Sequence, residues 1–142
     1  MALKIIDHGT VEYQQMIKLR DELLRKPLGL HFTADELEKE KENMLIAAFE
    51  DDQMLACCML VEENSDTVRL RQMAVLNDLQ GKGIGRALMN FAENIARDRG
   101  YKRITMHARK AVVGFYERMD YKVVGGEFVE ITIPHVLMEK KL

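Results

Sequence analysis

The sequence predicts an α/β fold in which a mixed, mostly antiparallel sheet has helices on both faces. Three strand-like segments, at residues 44–49, 54–61 and 67–76, follow one another across short polar turns, which indicates an antiparallel meander. A long amphipathic helix at residues 83–99 then leads to a further strand at residues 103–108. This succession indicates a βαβ crossover and one parallel strand pair.

The segment before the meander is expected to hold one strand and two helices. Residues 3–6 are strand-like, and apolar residues recur at helical spacing over residues 11–25 until Pro27 interrupts them. A second helix is expected to begin at Thr33, because Thr33 and Glu36 have the spacing of a capping box.

The segment after the crossover is expected to add a short helix and two strands. The pattern predicts a helix at residues 112–119 and strands at residues 122–124 and 136–139, joined by a loop of about 10 residues. Residues 1–142 are therefore expected to form a single domain with the element order β-α-α-β-β-β-α-β-α-β-β.

Composition narrows the classes of function. The 142 residues are 47% apolar and 31% charged, which is typical of a globular protein. The net charge of −2 gives no basic surplus for nucleic acid, and the charge run at residues 35–42 predicts a solvated helix face. We therefore expect no nucleic-acid partner. The histidines and cysteines show no metal-ligand spacing, so we also expect no bound metal.

Cysteine usage and the apolar runs lead us to expect a cytoplasmic protein. Cys57 and Cys58 are adjacent within an apolar segment, so we expect free core residues and no disulfide framework. Residues 1–7 lack the pattern of a secretory signal. The longest apolar run, residues 54–61, has the length of a strand, so no membrane association is expected.

The most informative stretch is the loop before the long helix, Gln80-Gly81-Lys82-Gly83-Ile84-Gly85-Arg86. Its glycines allow a tight turn and a close approach of the backbone to a ligand. The free N–H groups and the dipole of a helix start favour an anion such as phosphate. Lys82 and Arg86 add positive charge beside that anion site.

Two common phosphate-binding patterns do not fit this loop. A P-loop needs two glycines five residues apart followed by Lys and then Ser or Thr, which the loop lacks. The dinucleotide pattern meets Arg86 in place of its last glycine when it starts at Gly81, and Leu88 when it starts at Gly83. An alternative is that the glycines serve only the tight packing of strand against helix.

A third pattern does fit, and it carries a family resemblance. Gln-x-x-Gly-x-Gly, read at Gln80, Gly83 and Gly85, resembles the pyrophosphate loop of the GNAT family of N-acetyltransferases. The strand at residues 71–75 and the Phe115-Tyr116 pair are similar to segments that flank this loop in the family. The resemblance covers most of the chain from Met44 onward.

Two single positions and a short tail segment refine the resemblance. Asp120 stands where the family often has glycine, and Arg109 where it often has Asn or Gln, so the resemblance leaves a side-chain contact from Arg109 to the cofactor open. The tail Ile133-Pro134-His135 resembles a subgroup of small bacterial acyltransferases.

The resemblance implies an acetyl-CoA cosubstrate and a set of residues that would bind it. In the family, the strand before the loop pairs with the pantetheine arm and splays from the next parallel strand to open a cleft. Backbone N–H groups of that strand would polarise the thioester carbonyl. The implied cofactor-binding residues are Met73, Ala74, Val75, Gln80, Gly81, Lys82, Gly83, Ile84, Gly85, Arg86, Arg109 and Tyr116.

The resemblance and side-chain chemistry together suggest the catalytic residues. Tyr116 is predicted to be the general acid that protonates the departing thiolate, with an aromatic core residue as the alternative. His135 is predicted to be the general base that deprotonates the amine, although it could instead fix the geometry of its loop. His107 is interpreted as structural, and water chains could replace a single base.

The predicted function is therefore the transfer of an acetyl group from acetyl-CoA to a primary amine by direct attack in a ternary complex. One alternative is an acyltransferase for longer chains, and another is a non-catalytic sensor of acyl-CoA. Small amines, amino sugars, antibiotics and protein amino termini all stay open as acceptors. A homodimer is expected because exposed edge strands need covering.

Overall fold

The computed structural model describes residues 1–142 as one sheet of seven strands with α-helices on both faces. The strands are β1 (Ala2–Ile6), β2 (Met44–Glu50), β3 (Gln53–Glu62), β4 (Thr67–Val75), β5 (Arg103–Arg109), β6 (Lys122–Glu130) and β7 (Ile133–Lys141). The α-helices are α1 (Val11–Arg20), α2 (Ala34–Glu38), α3 (Ile84–Asp98) and α4 (Val113–Glu117). None of the helices is both long enough and apolar enough to cross a membrane.

The sheet has the predicted mixed topology. Its strand order is β1-β2-β3-β4-β5-β7-β6, and every neighbouring pair is antiparallel except β4 and β5. The parallel pair is joined through α3, because parallel neighbours need a crossover connection. The predicted meander, crossover and helical flanks are therefore confirmed.

Two apolar clusters pack on opposite faces of the sheet. On the α3 face, Ile46 and Ala48 of β2 belong to a cluster of 20 buried residues that includes the inward side of α3 and residues of α4. On the α1 face, the alternate residues Leu45, Ala47 and Phe49 pack with Tyr13 and Met16 in a cluster of 11. Because both faces are covered, β2 and β3 are nearly continuous apolar runs.

The first helix is shorter than predicted. The α-helical pattern ends at Arg20, a π-helical turn covers Asp21–Arg25, and a 3₁₀ turn covers Lys26–Leu28. Pro27 has no N–H to donate, so the α-helical ladder cannot continue through it. The second helix begins as predicted, because Thr33 caps it and both hydrogen bonds of the capping box with Glu36 are present.

The predicted solvated helix face at residues 35–42 is wrong at Glu40. The Glu40 carboxylate is 5% exposed and accepts two hydrogen bonds from the guanidinium of Arg20, at 2.7 and 2.6 Å. It also accepts a hydrogen bond from the Tyr13 hydroxyl at 2.8 Å. A buried charge needs such partners, which the charge run alone did not reveal.

The loop predicted between residues 124 and 136 is also wrong. β6 and β7 form a long hairpin closed by Ile131 and Thr132, both with left-handed φ values of 51° and 64°. Hairpin turns of this kind favour Asn and Gly, so two β-branched residues concealed it. Gly125 and Gly126 lie inside β6, where the register shifts between Val123 and Glu127, as expected for a bulge.

Candidate active site

A cleft opens where the two parallel strands separate. Only residues Thr67–Leu70 of β4 pair with β5, and their partners are Arg103–Met106. Beyond this paired part, β4 continues to Val75 and β5 to Arg109. Beyond Leu70, the edge of β4 that faces β5 therefore has no strand partner. The backbone groups on that edge are available to a ligand.

A β-bulge re-aims the end of β4 at this cleft. Cys57 pairs with Ala74 and Met59 with Arg71, so both Gln72 and Met73 lie opposite the single residue Cys58. Gln72 takes a left-handed conformation with a φ of 57°, which is uncommon for a residue with a side chain. Such bulges often occur beside active sites, where they redirect the strand.

The cleft is a cavity of about 880 Å³. Its walls come from β4, β5, α4, the start of α3, the π-helical turn and the β6–β7 hairpin. The sequence-predicted residues that line it are Met73, Ala74, Val75, Gln80, Gly81, Gly83, Gly85, Arg86, Arg109, Tyr116 and His135. Two predicted residues do not line it: Lys82 is exposed beside it, and Ile84 packs against the core on the α3 face.

The start of α3, at one end of the cavity, has the geometry of an anion site. Gly81 and Gly83 have left-handed φ values of 81° and 85°, and Gly83 caps the helix without a side chain. The first bond of the helical ladder runs from the N–H of Ala87 to the carbonyl of Gly83, so the preceding N–H groups are free. A Cβ at Gly81 or Gly83 would meet nothing within 4 Å. This open space beside free N–H groups fits a phosphate.

Gly85 and Gln80 have structural roles in the same loop. A Cβ at Gly85 would lie 3.1 Å from Cζ of Phe115 and 3.5 Å from Cε of Met73, so this glycine permits close packing of α3. The Gln80 amide donates hydrogen bonds to the carbonyl of Val75 at 3.1 Å and to Oδ1 of Asn77 at 3.2 Å. The packing alternative considered from the sequence thus applies to Gly85.

Tyr116 lies on α4 inside an aromatic cluster. Its ring contacts the rings of Phe115 and Tyr121 edge-on, with centroid distances of 5.1 and 5.9 Å. The residue is 6% exposed and lines the cavity. Burial, together with the nearby Cys58, raises the pKa of Tyr116 well above its ordinary value. The phenol is therefore protonated at neutral pH and can act as a proton donor.

Arg109 connects the cavity to the segment after α1. Its guanidinium donates a hydrogen bond to the carbonyl of Leu24 at 3.3 Å, across 85 positions of sequence. Leu24 lies in the π-helical turn and lines the cavity with Leu23 and Arg25. Arg109 thus fixes the wall opposite the anion site.

Two histidines and one carboxylate meet at the far end of the cavity. Nδ1 of His107 lies 3.0 Å from Glu130, and Nε2 of His135 lies 3.7 Å from the same carboxylate. Nδ1 of His135 is 2.7 Å from the carbonyl of Ile133. Burial favours the neutral acid, but the hydrogen bond from His107 and the charges of His107, His135 and Arg71 lower the pKa of Glu130 overall.

Comparison with protein families decides the class of the chain. Residues 17–142 match the family model described as "Acetyltransferase (GNAT) domain". The chain belongs to the GNAT family of acetyltransferases. The family assignment predicted from the loop is therefore confirmed.

Curated and solved proteins are similar to this GNAT chain. The uncharacterized protein YyaT of Bacillus subtilis is 30% identical over 76 residues, which are 54% of this chain and 51% of that protein. The chain thus spans about half the length of the curated relatives it matches. An acyl-CoA N-acyltransferase from Pseudomonas aeruginosa superposes with a TM-score of 0.83 at 20% identity, over 98% of each chain.

A third relative was solved with a ligand. An aminoglycoside 6'-N-acetyltransferase complexed with coenzyme A superposes with a TM-score of 0.84 at 18% identity, over 99% of this chain and 97% of that one. At these levels of identity, the solved structures establish the shared GNAT fold.

Sequence reasoning missed two residues of this GNAT cavity. The sequence pattern predicts a loop at Glu130, but this residue ends β6 beside both histidines. The pattern predicts only a strand at Arg71, but this residue also lines the cavity. The sequence does carry a signal for the neighbouring strand β5. Its side chains alternate between the two faces of the sheet, which places His107 and Arg109 on the same face.

Proposed function

We propose that this chain is an N-acetyltransferase that transfers the acetyl group of acetyl-CoA directly to a primary amine. One observation carries the proposal: the anion site at the start of α3 and the unpaired edge of β4 open into the same cavity. Acetyl-CoA has a pyrophosphate at one end and a thioester at the other, so it matches both features. The coenzyme A in the aminoglycoside acetyltransferase supports the same cosubstrate.

The pyrophosphate would bind at the start of α3. The free N–H groups of the first helical turn would donate to it, and Gly81 and Gly83 leave room for its approach. The Arg86 side chain lines the cavity and would add a charged contact. Lys82 lies at the rim, where its charge would help to attract the cosubstrate without a direct contact.

The thioester would lie along the end of β4. The edge of β4 between Arg71 and Val75 has free backbone groups, so N–H groups near Met73 to Val75 can polarise the carbonyl oxygen. The pantetheine arm would take the place of the missing strand partner. The bulge at Gln72 supports this role because it turns the end of the strand towards the cavity.

We propose His107 as the general base in preference to the sequence-predicted His135. A carbonyl only accepts hydrogen bonds, so Nδ1 of His135 must donate to Ile133, and its Nε2 faces Glu130 on a side chain that is 4% exposed. Nδ1 of His107 donates to the Glu130 carboxylate. Its Nε2 is then left to accept a proton, on a side chain that is 26% exposed.

The proposed reaction balances as follows. Nε2 of His107 takes a proton from the ammonium form of the acceptor, and the free amine attacks the thioester carbon. A carbon–nitrogen bond forms, the carbon–sulfur bond breaks, and the Tyr116 hydroxyl protonates the departing sulfur. The second proton of the attacking nitrogen passes to the Tyr116 oxygen, which restores the phenol, and His107 releases the first proton to solvent.

The test combines binding with turnover. Calorimetry should show binding of coenzyme A, and a panel of primary amines with acetyl-CoA should release free coenzyme A. His107→Asn should lower turnover by about 10²–10⁴-fold with coenzyme A affinity unchanged. A larger loss for His135→Asn than for His107→Asn would return the base to His135. Binding without release across the panel would favour the acyl-CoA sensor.

The same proposal includes a homodimer formed through β6. This strand lies at the edge of the sheet and has unpaired backbone groups along one side. Three of its valines are exposed on the surface: Val123, Val124 and Val129, the last with 71% exposure. An edge strand with apolar side chains favours pairing with a second copy of the chain.

A further inference from the structure

The cavity has chemically different walls on the two faces of the sheet. In β4, Val68 and Leu70 point into the core on the α3 face, so the alternate residues Arg69 and Arg71 point towards the α1 face. In β5, Ile104, Met106 and Ala108 belong to the same core, so His107 and Arg109 also point towards the α1 face. The proposed pyrophosphate site at the start of α3 is on the other side.

Positive charge dominates the cavity. Its lining contains six arginines and one carboxylate, Glu130, although the whole chain has a net charge of −2. Arg86 on α3 and Arg118 after α4 belong to the α3 side, where the phosphates of coenzyme A would bind. The other four arginines lie on the α1 side, which leaves them for the acceptor.

The four arginines differ in their availability. Arg25 is paired with Glu36 at 3.2 Å and stacks on Phe32, and Arg69 is paired with Glu63 at 2.8 Å. Arg71 is exposed and carries no such ion pair, and it is close enough to Glu130 to lower the pKa of that carboxyl.

Glu36 and Glu63 therefore neutralise two of the four charges. For Arg71 and Arg109, the only carboxylate in the cavity lining is then Glu130, which also lies beside His107 and His135. A net positive charge is left on the acceptor side of the cavity. This charge opposes a polycationic acceptor and attracts an anion.

We propose that the acceptor is a small primary amine that also carries a carboxylate or a phosphate, with the anionic group held by Arg71. The amine would lie beside His107 and Glu130, which are close to Arg71, so one small molecule could place both of its groups. This assignment rests on the proposed acetyltransferase function. It separates the chain from the aminoglycoside acetyltransferase of the same fold, whose acceptor is named as an aminoglycoside.

The experiment uses matched pairs of amines that differ only in the anionic group. The pairs are L-amino acids with their amides, and O-phosphoethanolamine with ethanolamine; kanamycin represents a polycation. Thermal shift of the coenzyme A-saturated protein reports binding, and release of coenzyme A from acetyl-CoA reports turnover. We expect the anionic member to bind and react better in at least one pair, and the pair that responds identifies the anion.

Variants of Arg71 connect the preference to this residue. Arg71→Gln should lower the ratio of kcat/KM for the anionic member to kcat/KM for the neutral member by about 10- to 100-fold, because the charged hydrogen bonds to the anionic group are lost. Arg71→Lys should retain part of the preference. Arg103→Gln removes an arginine outside the cavity and should change neither member, and coenzyme A affinity should stay constant in all three variants.

Several results would overturn the inference. They are equal responses within both pairs, a preference for kanamycin, no binding of any anionic amine to the coenzyme A complex, or a preference that survives Arg71→Gln. A failure of the proposed function is distinguishable: either coenzyme A does not bind in calorimetry before any amine is added, or it binds and no amine, anionic or neutral, releases it from acetyl-CoA.

Discussion

Tyr116 is the residue whose role can be tested with the smallest chemical change. Tyr116→Phe removes only the hydroxyl, so we expect turnover to fall by about 10²–10⁴-fold while coenzyme A affinity stays near wild type. Tyr121→Phe is the matched control, because its hydroxyl lies in the same aromatic cluster but donates to Glu93 at 2.9 Å, outside the cavity. Steady-state kinetics of both variants provide the measurement. A full-rate Tyr116→Phe enzyme would assign the acid to water.

The raised pKa of Tyr116 also predicts the alkaline side of the pH profile. Because the folded pKa lies above the ordinary value of about 10, the phenol keeps its proton as pH rises from about 7 to 10. We expect no decrease of kcat over that range from loss of the acid. A decrease with an apparent pKa below about 10 that disappears in Tyr116→Phe would contradict the assignment.

Arg20 and Glu40 make a stability prediction at the same scale. Arg20→Met leaves the Glu40 carboxylate buried without its charge partner, so we expect a loss of about 3–5 kcal/mol in the free energy of unfolding. The double variant Arg20→Met, Glu40→Leu removes both charges and should recover most of that loss. Urea unfolding of the three proteins checks this. A double variant as unstable as the single one would disprove the explanation.

At the scale of elements, the role of the loop before α3 in binding coenzyme A can be distinguished from the effect of backbone strain. Gly83→Glu places a side chain and a negative charge in the open space of the anion site, so coenzyme A binding should be abolished. Gly100→Glu is matched, because Gly100 has a φ of 87°, close to the 85° of Gly83, and its Cβ would also meet nothing within 4 Å. Calorimetry on both folded variants should show loss only for Gly83→Glu.

Element patterns explain which parts of the fold could be predicted. The meander and α3 were predictable because their apolar residues follow one period over many positions. The bulge at Gln72 and the turn at Ile131 and Thr132 were not, because both put residues with side chains into left-handed conformations that sequence preferences disfavour. The hairpin error then hid Glu130 from the predicted site.

The loop residues show the same limit within the site. The glycine pattern predicted the positions of Gly81 and Gly83, whose backbone conformation creates the anion site. It could not separate Arg86, which lines the cavity, from Lys82, which does not. Arg86 lies in the first turn of α3, whereas Lys82 precedes the capping residue Gly83, and the glycine pattern does not fix the direction of either side chain.

At the scale of the whole molecule, the exposed edge of β6 predicts the oligomeric state. Sedimentation at micromolar concentration should show a dimer. Val129→Lys should shift it towards monomer, because it replaces an exposed apolar side chain at the proposed interface with a charge. Val11→Lys is the control. Val11 is an exposed valine on α1, a helix that packs against β2 and β3 and not against β6, so this variant should leave the dimer intact. A wild-type monomer at that concentration would refute the proposed interface.

The turn at Ile131 and Thr132 limits the stability of the entire chain. A left-handed conformation costs about 1–2 kcal/mol for each residue with a branched side chain, whereas Asn-Gly would close the same hairpin with little strain. The protein is therefore less thermostable than its own topology allows. Ile131 lines the cavity, so the stability that a better turn would add comes from a wall of the candidate active site and not from the core.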